Sequence, residues 1–501
     1  MKSKNLLIDI AIILGFMLII SGNVFVQQFS NLDEIWIYNF GRCIINGLLP
    51  YKDFSIIITP LFAYISASFL KIFGDEMIVL RFAEVLQTAL ILFMSYKVLE
   101  RLNVNKGVSI LFTMGLYYLY YQVFCYDYNW AVLLVALIII YIELKEEEQF
   151  RVNFKRNLFI GVLAGIAILL KQTSGLVLSV IIISYKIFEF KNFKNFKDCF
   201  EICTIRLLGV LLPILLFAIY LTVNNIWTEF IDYTILGIST FSNNIPYTKL
   251  FSTDAPLAYA IPVFLAIIII TSIITLISKK LRKEEWTKKL RILVFFDIAT
   301  AVVVYPISDR MHFAVSTVCT LLTVVYLVHV WFKYGLKIKN QKVKSIFGTI
   351  FYVLSIIAII IYSAFSVNSI IKYVNNTKEN KYLRHFNYIE TSESLYKVIN
   401  KIDKFIEAKE QNVIILDSMA AAINIPIDKY YKDYDMFNLG NFGKNGEEGI
   451  IENLKYRKNT LFLVKKDEYA NNWQHPDKIV NYVKDNFTKV GEIEVFDIYT
   501  K

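Results

Sequence analysis

Long apolar runs, separated by short polar segments, dominate the first 370 residues of the chain. Several of these runs reach the roughly 20 residues that a helix needs to cross a bilayer. The pattern predicts eleven spans, at residues 5–26, 76–96, 107–125, 129–144, 157–170, 172–187, 207–224, 256–278, 292–307, 313–332 and 346–367. The apolar segment 60–73 is too short to span, so we interpret it as a helix lying at the membrane interface.

A different pattern begins after residue 367. Three segments, "NVIILDS" (412–418), "NTLFLV" (459–464) and "GEIEVFDIY" (491–499), are rich in β-branched and aromatic residues and read as strands. Helical patterns fill the gaps between them. This alternation predicts a small α/β domain over residues 368–501, next to a membrane domain over residues 1–367.

Composition agrees with a polytopic membrane protein. The chain is 56% hydrophobic and 19% charged, with a mean hydropathy of +0.49, whereas a soluble protein carries about 25% charged residues. The net charge of +10 therefore needs a topological explanation before a nucleic-acid partner is considered.

The distribution of Lys and Arg supplies that explanation. With a cytoplasmic N-terminus, the inner loops hold 26 Lys and Arg residues and the outer loops hold six. This asymmetry follows the positive-inside rule, and an odd number of spans places the C-terminal domain outside. That domain is neutral, with 20 basic and 20 acidic residues. Attraction of the inner loops to anionic membrane lipids accounts for the basic excess, so we predict no nucleic-acid partner.

Ionisable residues recur in the outer loops. They are Asp33, Glu34, Arg42, Lys52 and Asp53 in the first loop (27–75), Asp127 in "VFCYDYNWA", Lys171 in "GIAILLKQTSGL", and Asp309, Arg310 and His312 in "YPISDRMHF". Charges near the hydrocarbon are expensive and usually face a cavity or a partner. Because all of them fall on one predicted side, we expect a single polar cleft at the outer face.

Several motifs together resemble a known family. They are "DEIWIYNFGRCIINGLLPYKDF", "PLFAYISASFLKIFGDEMIVLRFAEVL", "GVLAGIAILLKQTSG" and "SDRMHF". An acidic pair after the first span, a "G..PY.DF" segment, a "PL" helix and "FG…R" entering the second span are similar to polyprenyl-phosphate-sugar-dependent glycosyltransferases of the C-type superfold. This family includes protein O-mannosyltransferases and the lipid A aminoarabinose transferase. The resemblance covers most of residues 1–330 and leaves the C-terminal domain aside.

The resemblance implies an activity. Such enzymes move a sugar from a polyprenyl-phosphate carrier to a glycan, lipid or protein acceptor at the outer leaflet, with inversion at the anomeric carbon. An acidic residue of the first outer loop acts as general base, and basic residues hold the carrier phosphate. Related transferases often carry a lysine just before the "PL" pair, where this chain has Thr59. Phosphate binding is therefore assigned to Lys52, Arg42 or Lys171, and a divalent metal (Mg²⁺ or Mn²⁺) is left open.

Elementary chemistry leads to the same roles. A hydroxyl that attacks a sugar carbon needs a positioned carboxylate, and a departing lipid phosphate needs cations or a metal. On a helical reading, Glu34, Tyr38 and Arg42 share one face, and Asp33 points elsewhere. We predict that Asp33 is the base and that Glu34 pairs with Arg42.

The remaining outer-loop residues receive supporting roles. Asp127 is expected to orient the acceptor or a metal as a further catalytic group. The substrate-binding set is completed by Asp53, Asp309, Arg310 and His312.

Simpler interpretations remain open for these residues. Asp33 and Glu34 would also suit the N-terminus of a helix, Lys171 could be a lysine that snorkels from a helix end, and Asp127, Arg310 and His312 could be ordinary loop residues. At the level of function, the alternatives are a transporter or lipid flippase and a non-catalytic assembly or sensor protein. A transporter predicts charges at mid-depth and repeats related by pseudosymmetry, and the sequence shows neither. The Lys, Ile and Asn usage favours a bacterial plasma membrane, with the endoplasmic reticulum as the alternative.

Overall fold

The structure is a computed structural model of the chain. It describes residues 2–29, 32–145, 152–189, 193–240, 285–304, 309–335, 341–377, 381–424, 442–469 and 475–501, with isolated positions 267, 270, 271, 307 and 432.

Helices dominate these residues. In chain order they are α1 (Lys2–Val24), α2 (Leu32–Ile45), α3 (Leu61–Phe73), α4 (Met77–Arg101), α5 (Lys106–Tyr120), α6 (Tyr128–Glu143), α7 (Phe154–Leu170), α8 (Gln172–Ser184), α9 (Phe193–Val223), α10 (Trp227–Phe230), α11 (Glu285–Ala301), α12 (Arg310–Val330), α13 (Gln341–Asn376), α14 (Glu393–Glu407), α15 (Ala420–Asn424), α16 (Gly446–Leu454) and α17 (Asp477–Asn486). The predicted helix at 60–73 corresponds to α3.

Most of the predicted spans coincide with helices. Ten of them fall on α1, α4–α9 and α11–α13; the eleventh, 256–278, lies almost entirely outside the described residues. Among the described residues, five helical segments are long and apolar enough to cross a membrane. They are Leu6–Val24, Met77–Arg101, Phe196–Val223, Arg310–Lys333 and Gly348–Asn376. The others are shorter than a full bilayer crossing.

The chain divides into two compact units. Unit 1 consists of Met1–Asn23, Glu84–Phe217 and Ile245–Ile370. Unit 2 consists of Val24–Ala83, Ala218–Asn244 and Ile371–Lys501, so it joins the first outer loop to the C-terminal region. The domain boundary expected at residue 367 stays a prediction.

Close helix contacts in unit 1 rely on glycine. A Cβ atom added at Gly161 of α7 would overlap the backbone of α9 at Arg206, and one added at Gly175 of α8 would overlap the backbone of α7 at Ala167. Small residues let helices approach each other in this way, which is the usual means of tight packing in membranes. Gly175 thereby holds the start of α8 against the end of α7.

The C-terminal part of unit 2 contains the predicted α/β layer. Its four-stranded sheet has the order β1 (Asn412–Ile415), β2 (Thr460–Lys465), β4 (Phe496–Thr500), β3 (Thr488–Ile493). β1 and β2 are parallel, and the other two pairs are antiparallel. The apolar face of α14 buries Ile399, Ile402 and Ile406.

One strand prediction needs correction. Residues 491–499 were expected to form a single strand, but they belong to the hairpin of β3 and β4. Glu494 stands at the turn with a φ of 47°, a conformation that a continuous strand does not use. Asp417 follows β1, and its carboxylate accepts a hydrogen bond from the Met419 N–H at 2.9 Å, so it shapes the turn after this strand.

Candidate functional site

The first turn of α2 carries the acidic pair. Asp33 is exposed and Glu34 is half-buried. Arg81, from the start of α4, donates from its Nε to Glu34 Oε1 at 2.8 Å and also donates to the backbone oxygen of Gln27. Arg81 is 1% exposed. The predicted pair between Glu34 and Arg42 is therefore wrong, because helix α4 brings a nearer guanidinium to Glu34.

Arg42 belongs to a separate network in unit 2. Its Nε donates to Asp75 Oδ2 at 3.0 Å, and the hydroxyl of Tyr38 donates to Asp75 Oδ1 at 3.0 Å. Its Nη2 lies 3.0 Å from His385 Nε2, and the Nδ1 of the same ring lies 3.1 Å from the backbone oxygen of Asp75. Since a guanidinium only donates, His385 accepts at Nε2 and donates at Nδ1. We use the name α2 network for both groups together, that is, for Glu34, Tyr38, Arg42, Asp75, Arg81 and His385.

The pKa values agree with this arrangement. Burial lowers the pKa of His385, and the Arg42 guanidinium beside it acts in the same direction. The ring is therefore neutral at pH 7, as its accepting Nε2 requires. Burial also raises the pKa of Tyr38, with the Asp75 carboxylate adding to the effect, so its hydroxyl keeps the proton that it donates.

The "G..PY.DF" segment forms a tight turn after α2. Asp53 Oδ2 accepts from the Leu49 N–H at 2.8 Å, and the Asp53 N–H donates to the Leu49 oxygen at 2.9 Å. Gly47 and Tyr51 both have positive φ angles, 86° and 72°. Tyr51 is buried, and its hydroxyl donates to the backbone oxygen of Ile58 at 2.8 Å. The turn thus uses Asp53 as a local cap and leaves Lys52 exposed.

Lys171 lies at a break between two helices of unit 1. It ends α7 and begins α8 with extended backbone angles, φ −153° and ψ 117°. Its side chain is buried, with 9% of the residue exposed. The Nζ atom donates to Asn129 Oδ1 at 2.6 Å and lies 5.3 Å from the centre of the Tyr128 ring. The snorkelling interpretation would place this ammonium in water, and it is instead buried against two side chains from the start of α6.

Asp127 caps α6, the helix that provides those side chains. Its Oδ1 accepts from the Asn129 N–H at 2.6 Å, and its backbone oxygen accepts from Gln87 Nε2 at 2.9 Å. Asp127 is 2% exposed and Asn129 is fully buried. Because Lys171 only donates, Asn129 must present its oxygen to Lys171 and its amide nitrogen elsewhere. That nitrogen has no hydrogen-bond partner among the described residues.

Asp309 caps α12 in the same manner. Its Oδ1 accepts from the His312 N–H at 2.9 Å and lies 2.8 Å from His312 Nδ1. Burial would raise the pKa of Asp309, but the hydrogen bonds from His312 outweigh burial and lower it. His312 is buried, and Arg310 beside it is exposed.

These groups interact electrostatically. Burial lowers the pKa of Lys171 to about 8, and the carboxylates of Asp127 and Asp309 oppose that change. Burial raises the pKa of Asp127, and Lys171 is the strongest group acting against it. We call Asp127, Asn129, Lys171, Asp309 and His312 the Lys171 cluster. It unites four residues that the sequence placed in three separate loops.

Binding of a divalent metal would require a group of suitable side chains. Among the described residues, no group of three or more His, Cys, Asp or Glu side chains is placed to hold a metal ion. No residue of either set is therefore assigned to a metal.

Sequence reasoning missed four residues of these sets. Arg81 is the arginine of "FG…R" in the quoted motif, but its position inside a predicted span gives no sign of an ion pair. Asp75 follows the glycine of the same motif. Asn129 is uncharged and stands in a span of apolar residues, and His385 is more than 300 residues from its partners, so neither gave a local signal.

Comparisons with known proteins agree with this fold. The family model for dolichyl-phosphate-mannose-protein mannosyltransferases matches residues 58–220, a segment that contains Arg81, Asp127 and Lys171. None of the curated proteins matches the chain. The crystal structure of ArnT from Cupriavidus metallidurans bound to undecaprenyl phosphate superposes with a TM-score of 0.56 at 9% identity, covering 100% of this chain and 98% of that one.

Identity this low speaks for the fold alone, and the family model covers about a third of the sequence. The predicted resemblance and the predicted helical membrane fold with a small C-terminal α/β layer are both confirmed. The chain is thus an integral membrane protein with an ArnT-like fold, similar to the polyprenyl-phosphate-sugar-dependent glycosyltransferases of the C-type superfold.

Proposed function

We propose that this protein is a glycosyltransferase that moves a sugar from a polyprenyl-phosphate carrier to an acceptor at the outer face of a bacterial plasma membrane. The N-terminus is cytoplasmic and the C-terminal domain is extracytoplasmic in this proposal. The fold and the family match over residues 58–220 support the class of enzyme. The observation that carries the proposal furthest is the pair of donors formed by Lys171 and Asn129.

These two side chains suit the phosphate of the carrier. A buried ammonium is costly unless it is paired or serves a ligand. Lys171 has a hydrogen bond to an amide oxygen, and the adjacent Asn129 amide nitrogen lacks an acceptor among the described residues. A phosphate oxygen would accept from both groups and would relieve both costs. In the transfer step, the same donors would stabilise the charge that grows on the leaving phosphate.

Asp33 is proposed as the general base. The base must be a carboxylate that is accessible to the acceptor hydroxyl. Asp33 is exposed in the first turn of α2, and Arg81 occupies the neighbouring Glu34. Asp33 would take the hydroxyl proton while the acceptor oxygen bonds to the anomeric carbon and the bond from that carbon to the phosphate oxygen breaks, which inverts the centre.

Other members of the predicted set have supporting roles in this proposal. Asp127 positions Asn129 through the helix cap, and Asp309 with His312 sets the charge around Lys171. Exposed Lys52 and Arg310 would contact the sugar or the acceptor. Arg42 and Asp53 hold the first outer loop in shape through their observed hydrogen bonds. Use of Mg²⁺ or Mn²⁺ is measured directly by adding a chelator to the assay.

The experiment uses the purified full chain in detergent with undecaprenyl-phosphate-linked sugars. A panel of radiolabelled donors is incubated with membrane lipids, glycans and protein extracts, and release of undecaprenyl phosphate is followed by thin-layer chromatography. We expect donor-dependent sugar transfer that Asp33→Asn suppresses. Matched proteoliposomes would test transport of a fluorescent polyprenyl phosphate between leaflets. Movement of the carrier with no sugar transfer from any donor would contradict the proposal and favour a flippase.

A further inference from the structure

A second polar site lies in unit 1, on its predicted cytoplasmic side. It is a cavity of about 580 Å³ at the N-terminal part of α1, the C-terminal ends of α4 and α6, the start of α5 and the first turns of α11. We call it the basic pocket. The cations that line it are Lys97, Arg101, Lys106, Lys145 and Lys289, and the carboxylates are Asp9 and Glu100. Counted over the residues that the structure describes, its lining therefore has an excess of three positive charges.

The two carboxylates are already engaged. Lys97 Nζ lies 3.4 Å from Asp9 Oδ1 and 2.5 Å from Glu100 Oε2. Lys106 Nζ lies 3.9 Å from the other oxygen of Glu100. The charge of these two lining carboxylates is consequently shared between Lys97 and Lys106. Of the other cations, Lys289 pairs with Glu285, which lies outside the lining.

Arg101 retains most of its donors. Its Nη2 donates to the hydroxyl of Tyr141 at 3.0 Å, and its guanidinium carbon lies 4.6 Å from the centre of the same ring. A guanidinium carries five N–H donors, and among the described residues Arg101 has no carboxylate within ion-pair distance. The stack on Tyr141 fixes the plane of the guanidinium, and this pre-arranged geometry suits bidentate binding of an oxyanion.

Lys145 and Lys289 flank this arginine. Lys289 is largely buried; its Nζ donates to the backbone oxygen of Arg101 at 3.3 Å and lies 3.2 Å from Oε1 of the exposed Glu285. Lys145 follows α6 and is exposed. The three cations come from the end of α4, the segment after α6 and the first turns of α11, and they line one cavity.

We infer that the basic pocket binds a phosphate group, with Arg101 and Lys145 as the principal contacts. The shared chemistry is a phosphate mono- or diester, from an anionic lipid headgroup or from a soluble phosphate. In the predicted topology, the ends of α1, α4 and α6 lie at the cytoplasmic surface of the membrane, where lipid headgroups are found. This site is separate from the Lys171 cluster, whose members lie at the opposite ends of α6 and the helices packed on it.

Binding is measured on the purified full chain. One arm uses inorganic phosphate and pyrophosphate as soluble probes in a thermal-shift titration. The other arm counts bound phosphatidylglycerol against phosphatidylcholine by native mass spectrometry. The variants are Arg101→Gln with Lys145→Gln, and the matched control is Lys155→Gln, an exposed lysine on the same predicted side that lies outside the pocket.

We expect the double variant to weaken phosphate or phosphatidylglycerol binding by about tenfold, as loss of charge-assisted contacts predicts, with the control within about twofold. Retention of phosphatidylglycerol without any response to the soluble probes identifies the lipid headgroup as the source, and the reverse identifies a soluble phosphate. Equal loss in the control and the double variant would overturn the inference, since general charge would then explain binding. A wild-type chain that binds neither probe would overturn it as well. Single variants Arg101→Lys and Lys145→Gln keep the test valid if the double variant misfolds.

Discussion

The α2 network of unit 2 and the Lys171 cluster of unit 1 differ in the partners of their buried cations. In the α2 network, guanidinium groups meet carboxylates directly, as Arg81 meets Glu34 and Arg42 meets Asp75. In the Lys171 cluster, the buried ammonium bonds to a neutral amide, and the carboxylates of Asp127 and Asp309 serve as helix caps.

This difference implies that the α2 network stabilises the fold, whereas the Lys171 cluster can still bind a ligand. An ion pair with complete hydrogen bonds fixes one geometry, and removal of one partner is strongly destabilising. A buried cation beside an amide with an unused donor still has an interaction to make with a ligand. We therefore expect substitutions in the α2 network to change mainly stability, and those in the Lys171 cluster to change mainly donor binding. Asp33 adjoins Glu34 of the α2 network but is exposed. Its substitution should therefore change mainly turnover, and neither stability nor donor binding.

The largest expected effect is that of Asp33→Asn. This change keeps the shape of the side chain but removes the proton acceptor, and general-base catalysis typically contributes 10²–10⁴-fold, or about 3–5 kcal/mol of barrier. Turnover should fall by that factor with donor binding and expression retained, measured as initial rates of sugar transfer. Asp127→Asn should cost less. If Asp33→Asn keeps more than about a tenth of wild-type turnover while Asp127→Asn abolishes it, the base has been misassigned.

The next effect concerns stability. Arg81→Met should lower the free energy of unfolding by about 3–5 kcal/mol, because it leaves Glu34 without its partner in a largely buried position. Thermal unfolding in detergent measures the change, with exposed Lys52→Met as control. The double variant Arg81→Met with Glu34→Met should recover most of the loss. No recovery would mean that the hydrogen bond to Gln27, and not the ion pair, is what Arg81 provides.

Donor binding should respond to Lys171. Lys171→Met removes a charge-assisted hydrogen bond of about 1.5–3 kcal/mol, so the KM for donor should rise about tenfold to a hundredfold while the fold persists. Lys171→Arg should retain part of the affinity. Lys155→Met, at an exposed lysine on the predicted cytoplasmic side, serves as the matched loss of one positive charge. A KM within about twofold of wild type would mean that the lysine has only a structural role.

A smaller effect should appear as a pH dependence of the same constant. Burial lowers the pKa of Lys171 to about 8, so the unliganded protein loses this positive charge as pH rises through that value. Donor affinity should therefore decrease above about pH 8, as followed by KM between pH 6.5 and 9.5. In Lys171→Arg the decline should disappear, because arginine stays protonated throughout this range. An identical decline in that variant would assign the titration to another group.

The smallest expected effect is a loss of stability at acidic pH that depends on His385 of the α2 network. The pKa of His385 is lowered in the folded protein, so between that pKa and the ordinary value of about 6.5 the unfolded chain binds more protons. Stability should then be fully present above about pH 6.5 and decrease as pH falls through the lowered pKa. Unfolding midpoints from pH 7.5 to 5 measure this slope. His385→Asn should flatten it, and an unchanged slope in that variant would assign the titration to another group.

The sequence predicted the fold well because its strongest signals are local. Hydrophobic runs mark the helices, and β-branched segments mark three of the four strands of the sheet. The error at 491–499 arose because Glu494 and Val495 carry no glycine or proline to reveal the turn. The candidate site was harder to predict because it is formed by residues distant in sequence. The position of Asp127, Lys171, Asp309 and His312 near one another depends on helix packing, although their common side was visible from the Lys and Arg counts.

Pairing was the least predictable part. Glu34 and Arg42 are at suitable spacing on one helix, and sequence reasoning had no means to see that α4 offers Arg81 at 2.8 Å. Asn129 carried no signal at all, since a single amide in an apolar helix reads as a packing residue. Its role depends on the lysine that another helix break brings to it.

The short helices on either side of Lys171 have a mechanical consequence for the bilayer. At about 1.5 Å per residue, the 17 residues of α7 and the 13 of α8 extend about 26 and 20 Å, less than the hydrocarbon thickness of about 30 Å. Local thinning of the membrane is one of the ways in which such hydrophobic mismatch is accommodated. A lipid phosphate near the α7–α8 hairpin would then sit deeper than its neighbours, and the headgroup would reach a buried ammonium without leaving the leaflet. Bilayers of longer acyl chains are thicker and should oppose that deformation. Binding of the carrier should therefore weaken as acyl-chain length increases.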